Sequence, residues 1–272
     1  MSKIWFITGT SRGFGREFAL AALERGDRVA ATARSTSSLD DLVAKYGDAV
    51  LPLALDVTDK AAVEATVATA HERFGRFDVV VNNAGYGLFG AVEELTEADI
   101  RAQMETNFFG ALWVSQAVLP YLREQGSGHL VQMSTIGGIG AFPNLGGYHA
   151  SKWALEGITE ALAQEVAGFG VKVTLVEPGS FGTDWAGSSA AWAPAKPAYQ
   201  PLRDGMAARS GSTKAGDPAA AAQALLKVVD ADEPPLRVLF GDMPTKLVKG
   251  LYAKRLQTWA EWETVSIEAD GA

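Results

Sequence analysis

Tyr148 and Lys152 stand four residues apart in the stretch Tyr148-His149-Ala150-Ser151-Lys152. On a helix that spacing puts two side chains on one face, about 6 Å apart at their Cβ atoms, so an ammonium can lie beside a phenol. A free tyrosine titrates near pKa ~10, and a fixed positive neighbour favours its phenolate and lowers that value. General acid–base chemistry works best with a pKa near the operating pH, so the pair reads as a proton donor and acceptor. Tyr and Lys also meet at this spacing by chance on solvated helix faces. What the pair means therefore depends on what the rest of the chain places around it.

The order of elements supplies a frame. Lys3 to Thr8 is a short apolar run ending in Gly9-Thr10-Ser11-Arg12-Gly13-Phe14-Gly15, after which Phe18, Ala21, Ala22 and Leu23 repeat at helical spacing. Strand, glycine loop and helix in this order present backbone N–H groups at a helix N-terminus, where an anion such as a diphosphate is favoured. Further strands are expected at Val29 to Ala33, Val50 to Leu55, Phe77 to Val81, His129 to Met133, Val171 to Val176 and Leu236 to Phe240, separated by helical stretches. Alternation of this kind predicts an α/β doubly wound Rossmann fold, seven parallel strands between helices, in one domain covering residues 1–272. Ligands in such sheets sit beyond the carboxyl ends of the strands. Gly9, Ala33, Asp56 and Asn83 all fall at such ends.

Three local features break the pattern. Asn107 sits inside a helix expected to begin near Thr96 and run on through Val114, Val118 and Leu122, where its amide competes for backbone groups. Residues 180–216 lose periodicity while keeping Trp185, Trp192 and Tyr199, which predicts a substrate lid. Thr245 to Trp262 predicts an amphipathic C-terminal helix.

Composition narrows the chemistry. With 272 residues, 47% hydrophobic and 21% charged, the chain reads as an ordinary globular protein, and no apolar run nears the ~20 residues that span a bilayer. Ile4 to Ile7 leaves no room for a signal peptide ahead of it, so a cytoplasmic location is expected. Zero cysteines exclude thiolate catalysis, disulfides and Cys-ligated metal, and three scattered histidines (His71, His129, His149) argue against a metal site. A net charge of −8 disfavours nucleic acid and leaves a small molecule as the expected partner.

Thr8-Gly9-x3-Gly13-x-Gly15, Asp56, Asn82-Asn83-Ala84-Gly85, Asn107, Tyr148-x3-Lys152 and Pro178-Gly179, in this order, resemble the classical short-chain dehydrogenases/reductases over about residues 3–240. Ala-Thr-Ala-Arg-Ser after the second strand is most similar to the branch with hydroxysteroid- and retinol-dehydrogenase-like members. The resemblance implies that Tyr148 is the general acid of carbonyl reduction and the base of the reverse reaction. It implies that Lys152 lowers the Tyr148 pKa and holds the nicotinamide ribose. Asn107 would bend its helix and support a water linking Lys152 to solvent. A hydroxyl normally completes the set by stabilising charge on the substrate oxygen. The family places it thirteen positions before the tyrosine, and 148 − 135 = 13, which assigns Thr135. Its interval from the asparagine agrees, with 135 − 107 = 28. Ser134 remains the alternative, although neighbouring strand residues face opposite ways.

Cofactor choice follows from charge. NAD-binding members carry an acid at the end of the second strand for the ribose 2′-hydroxyl. Here Ala33 and then Arg34 stand there, and Arg12 in the glycine loop adds a second guanidinium suited to a 2′-phosphate. NADP(H) is therefore expected. The implied contacts are Gly9, Ser11, Arg12, Gly13, Phe14 and Gly15 around the diphosphate, Arg34 at the 2′-phosphate, and Asp56 with Val57 at the adenine. Asn83, Ala84 and Gly85 would lie near the ribose, and Pro178, Gly179, Phe181 and Thr183 beside the nicotinamide, along with Tyr148 and Lys152. The expected activity is interconversion of a ketone or aldehyde with an alcohol, on an apolar or aromatic substrate walled by Leu88, Phe142, Phe181, Trp185 and Trp192. A 3-oxoacyl thioester reductase and a non-catalytic NADP-sensing regulator are the alternatives. The family also implies a homodimer or homotetramer, paired through helices near residues 100–122 and 149–167.

Overall fold

The computed structural model describes residues 2–210 and 214–271. Its elements in chain order are β1 (Ile4–Ile7), α1 (Gly13–Glu24), β2 (Arg28–Ala33), α2 (Asp40–Tyr46), β3 (Val50–Ala54), α3 (Lys60–Phe74), β4 (Val79–Asn82), β5 (Leu88–Phe89), α4 (Glu97–Met104), α5 (Gly110–Gln125), β6 (Gly128–Met133), α6 (Gly146–Val166), β7 (Val171–Pro178), β8 (Ala191–Trp192), α7 (Gln200–Ser210), α8 (Pro218–Asp230), β9 (Arg237–Phe240), α9 (Asp242–Glu261) and α10 (Glu263–Glu268).

Seven strands form one parallel sheet in the order β3-β2-β1-β4-β6-β7-β9, and the short β5 and β8 pair separately. The order departs from β1 in both directions, so the crevice between β1 and β4 is the switch point where a parallel sheet accepts a ligand. Continuous apolar strands are explained by cover on both faces. Trp5, Ile7, Val29, Ala31 and Val81 pack with α1 and α8 on one side. Phe6, Ala30, Val80 and Leu130 pack with α3 and α5 on the other. Among the described residues, no helix is long and apolar enough to cross a membrane.

Three expectations need correction. The helix through Asn107 is not continuous: a π-turn over Glu105–Phe109 separates α4 from α5, the kind of insertion that collects at functional sites. The expected lid holds a helix, α7, and residues 211–213 of it lie outside the described residues. No apolar stripe betrays α7 because polar contacts hold it. Arg203 reaches the buried Glu94 carboxylate at 2.9 Å and 3.1 Å and the Lys196 carbonyl at 2.7 Å, while Tyr199 donates to Glu93 at 2.7 Å. The C-terminal helix packs only through its first turns, and Leu256, Trp259 and Trp262 are 60%, 65% and 60% exposed.

At the far edge of the sheet lies a buried charge cluster. Glu156 of α6 and Glu177 of β7 flank Arg237 of β9, at 3.1 Å and 3.5 Å from its Nε, and Glu160 takes its other end at 2.8 Å. One guanidinium faces two buried carboxylates, and burial, reinforced by the Glu156 charge beside it, pushes the Glu177 carboxyl well above its ordinary 4.5. A carboxyl raised in the folded state holds its proton there after the unfolded chain has lost it, so stability falls as pH rises above about 4.5. Glu177→Gln removes that penalty. Its melting temperature should match or trail the parent near pH 5 and gain on it steadily toward pH 8, at about 2–4 °C for each kcal/mol. Thermal melts with a pH-independent difference would show that Glu177 stays ionised.

Candidate active site

The cleft lies at the carboxyl ends of β1, β2, β4, β6 and β7, with a cavity of about 970 Å³. The glycine loop forms one end. Gly9 and Gly13 have φ of 70° and 59°, values that favour glycine, and they turn the chain from β1 into α1. α1 has no side-chain cap at Arg12 and no acid in its first turn, so its leading N–H groups remain free for an anion. This free helix end, with Arg12 and Arg34 lining the same cavity, fits the diphosphate of a dinucleotide.

Side chains at the strand ends lock the loop in place. Thr8 Oγ1 accepts from the backbone N–H groups of Asn83 and Ala84 at 2.9 Å and 3.0 Å. Asn83 Nδ2 donates to the Thr8 and Gly9 carbonyls at 2.9 Å and 3.0 Å. The Asn83 amide thus braces the glycine loop from below. Gly15 is beneath the loop and does not line the cavity, contrary to its expected ligand contact. A Cβ on it would stand 2.3 Å from the Gly9 carbonyl oxygen and 2.4 Å from Asn83 Nδ2, so its absent side chain lets the helix pack under the turn.

The chemistry-bearing pair lies at the other end. Tyr148 is 7% exposed and Lys152 is 5% exposed, one turn apart on α6. Lys152 Nζ donates to the Met133 carbonyl at 2.8 Å. Burial pulls its pKa down to about 8, partly opposed by the Glu156 carboxylate. Burial also pushes the Tyr148 phenol above its ordinary range, and the Thr135 hydroxyl and Trp185 indole nearby only soften this. The expected lowering of Tyr148 by Lys152 is thus not what the protein alone displays, because both groups are dry and the ammonium is turned to Met133.

Thr135 lines the cavity, with Oγ1 accepting from Gly137 N at 3.2 Å and 3.4 Å from the Pro178 carbonyl. Ser134 lines the cavity too, but its Oγ is buried, 2.5 Å from where a Cβ on Gly138 would be, beside Glu156. Asn107 is 1% exposed and does not line the cavity. Its Oδ1 accepts from Tyr86 N at 3.1 Å, and its Nδ2 donates to Tyr86 O at 3.0 Å and Ser151 Oγ at 3.2 Å. Gly85 sits against it, since a Cβ there would meet Asn107 Oδ1 at 3.0 Å.

Ser11, Phe14, Val57, Asn83, Ala84, Gly85, Pro178, Gly179 and Thr183 all line the cavity. Asp56 lines it too, with Oδ1 accepting from Thr58 N and Oγ1 at 3.0 Å and 2.8 Å. Arg12 donates to Asp184 and Ser188, both at 2.8 Å. Of the expected apolar wall, Phe142, Trp185 and Phe181 line the cavity, while Leu88 is core and Trp192 is 63% exposed, stacked on Phe89 at 4.2 Å. Phe181 packs against Phe14 at 5.0 Å.

Sequence reasoning missed His149, Tyr86, Met243 and Leu247, which also line the cavity. His149 Nδ1 accepts from Phe142 N at 3.2 Å, and burial pulls its pKa to about 4, so it stands neutral in the wall. Its position beside Tyr148 was the available signal. No group of acids and histidines among the described residues could hold a metal ion.

Fold and cleft together define a doubly wound α/β protein built to bring an anionic dinucleotide end and a buried Tyr–Lys pair into one cavity. The chain belongs to the short-chain dehydrogenase family, whose model matches residues 3–194, and it is an oxidoreductase. It is 49% identical over 245 residues to oxidoreductase BOA17 of Botryotinia fuckeliana, covering 89% of each chain. A short-chain dehydrogenase from Streptomyces avermitilis superimposes with a TM-score of 0.93 at 41% identity, over 98% of both chains. An alcohol dehydrogenase from Thermococcus sibiricus, solved with 5-hydroxy-NADP, superimposes with a TM-score of 0.73 at 29% identity, over 88% of this chain and 96% of that one.

Thr8→Val keeps the shape of a 1% exposed side chain and deletes the acceptor of two backbone donors. Unpaired buried donors cost about 1–3 kcal/mol each. Urea unfolding should show a loss of about 2–4 kcal/mol, with faster amide exchange in Gly9 to Gly13. A loss below about 0.5 kcal/mol would mean the loop is braced elsewhere.

Proposed function

We propose that the chain is an NADPH-dependent reductase of ketones and aldehydes, reversible toward the alcohol, with Tyr148 as proton donor. The observation that carries this reading is the buried Tyr148 phenol sharing one cavity with Thr135, Lys152 and the free N-terminus of α1. A bound nicotinamide supplies or takes the hydride. The chain's own residues do the rest. Thr135 and Tyr148 donate to the carbonyl oxygen, and Tyr148 passes its proton there as charge develops. Because burial keeps the phenol protonated, the protein is poised as an acid, which suits reduction. Lys152 holds the ribose hydroxyls and, still mostly charged at neutral pH, favours the phenolate that remains. Phe142, Leu145, Trp185, Met243 and Leu247 bound the substrate end, which favours an apolar or aromatic carbonyl compound.

NADPH over NADH rests on charge. β2 ends in Ala33 with no carboxylate, and Arg34 follows at the cavity rim. Arg12 reaches the same rim but already has a carboxylate partner in Asp184, so of these two Arg34 is the guanidinium without an ion pair among the described residues. The Michaelis constant for NADPH should lie at least tenfold below that for NADH. Arg34→Glu should invert the order by repelling a 2′-phosphate. Equal constants for both cofactors in the parent would sink the assignment.

Tyr148→Phe should lower kcat by about 10²–10⁴ with the fold intact, the contribution expected of one positioned acid. Thr135→Ala should lose about 10²–10³ in kcat, whereas Ser134→Ala should stay within about threefold, since its hydroxyl faces Gly138 and Glu156. An inactive Ser134→Ala beside an active Thr135→Ala would reverse the two roles.

A further inference from the structure

The second half of α9 stands outside the body of the protein. From Met243 to Ala260 the helix carries Lys246, Lys249, Lys254 and Arg255 and no acid, within a chain of net charge −8. Tyr252, Leu256 and Trp259, spaced i, i+4 and i+7 and so on one helix face, are 42%, 60% and 65% exposed. Contiguous large apolar residues of this kind mark an interaction surface. Lys246 is answered by Asp242, whereas Lys249, Lys254 and Arg255 have no carboxylate partner among the described residues. The Arg255 guanidinium instead lies over the Trp153 ring of α6, 5.2 Å from its centroid, which directs the helix past the outer side of its own body.

The same chain carries a groove of about 570 Å³ lined by Val92, Leu95, Ile100, Met104 and Phe109, with Glu97, Arg101 and Glu105 among them. Val92 is 76% exposed, so the apolar lining reaches solvent. Residues 92–105 hold five acids and one base. Lys196 pairs with Glu93, Arg203 with Glu94 and Arg101 with Glu97, which leaves Asp99 and Glu105 without a cation among the described residues. Among the described residues, none of α9 lines the groove of its own chain.

The two surfaces are complementary in kind and in charge. An amphipathic helix laid into an apolar groove through residues at i, i+4 and i+7 is a recurrent mode of recognition. We propose that the groove receives α9 of a second copy of this chain, with Tyr252, Leu256 and Trp259 in the apolar lining and the unpaired cations toward Asp99 and Glu105. Two copies that exchange helices reciprocally cover both surfaces at once and close as a two-fold dimer. The contact is separate from pairing through α5 and α6, neither of which lines the groove. An anionic lipid surface fits less well, because Glu261, Glu263, Glu268 and Asp270 follow directly and give residues 249–270 more acids than bases.

The chain has no cysteine, so introduced thiols are unique. Ala260→Cys chains co-expressed with Val92→Cys chains, and then with Arg101→Cys chains, keep the apolar anchors and the acids of the groove. A flexible bismaleimide should bridge each mixture into a covalent dimer, while the Ala260→Cys chain alone should give none. No covalent dimer from either mixture, or a dimer from Ala260→Cys alone, which would mean helices paired with each other, overturns the proposal. Sedimentation equilibrium supplies a second readout. Trp259→Glu and Val92→Glu should each raise the dimer dissociation constant at least tenfold, and the two together little further, because both act on one contact. A constant moved by one substitution and not by the other overturns the proposal, as does a parent that sediments only as a monomer. Binding to phosphatidylserine vesicles that Trp259→Glu abolishes, without crosslinked dimers, would assign the helix to lipid instead.

Discussion

A charged ammonium buried beside the cavity is the constraint around which the site is arranged. Taking such a group out of water costs several kcal/mol unless it is hydrogen-bonded and its charge is answered nearby. Lys152 meets that demand with the Met133 carbonyl at the end of β6 and with Glu156 one turn farther along α6. The strand must therefore stop pairing at Met133 on that side, while the tight neighbour of Gly85 is Asn107, whose Oδ1 would stand 3.0 Å from a Cβ there. The buried face of α6 is accordingly polar for a core helix: Tyr148, Ser151, Lys152, Glu156 and Thr159 all lie within it. Glu156 passes the constraint outward, because it shares Arg237 with Glu177 and thereby couples α6 to β7 and β9.

Polar side chains in this cleft divide into those that face the cavity and those that hold its walls. Asn83 and Asn107 belong to the second group. Each uses its amide on backbone: Asn83 on the glycine loop and Asn107 on both polar groups of Tyr86. The Asn107 bonds, with Ser151 donating on to the Tyr148 carbonyl at 2.7 Å, connect the π-turn to α6 and Tyr148. Such bracing explains why amide residues stand there: a carboxylate could accept but not donate, and both positions require donors.

The frame was readable because its signals are local. Seven apolar runs, five of them ending in Gly, Asp, Asn or Ser, follow from strands covered on both faces and stopping at a cleft, and Asn107 announced a break through its poor fit to a helix interior. What stayed hidden depends on partners distant in sequence. α7 is held by Arg203 and Lys196 against Glu93 and Glu94, more than 100 positions away in the chain, and no apolar period records such ties. Glu177 reads as the end of a strand and shows its burial only once Glu156 and Arg237 arrive. Trp192 looked like substrate wall, yet β8 turns it outward onto Phe89, because pairing with β5 fixes which strand face points inward. At the C-terminus, Leu247 lines the cavity and Leu251 lies against Gly140, but Leu256, Trp259 and Trp262 farther along the helix stand exposed.

Burial moves the two central groups in ways that bear on the direction of chemistry. Removing water disfavours the charged form of each, so the phenol is pushed up and the ammonium pulled down, and the pair approaches a neutral acid beside a weakened cation. Phenolate in this cavity therefore requires more than the protein alone supplies. Any positive charge brought near Tyr148 works in that direction, as does any ligand that turns Lys152 from Met133 toward the phenol. A bound oxidised nicotinamide would bring such a charge, and a reduced one would not.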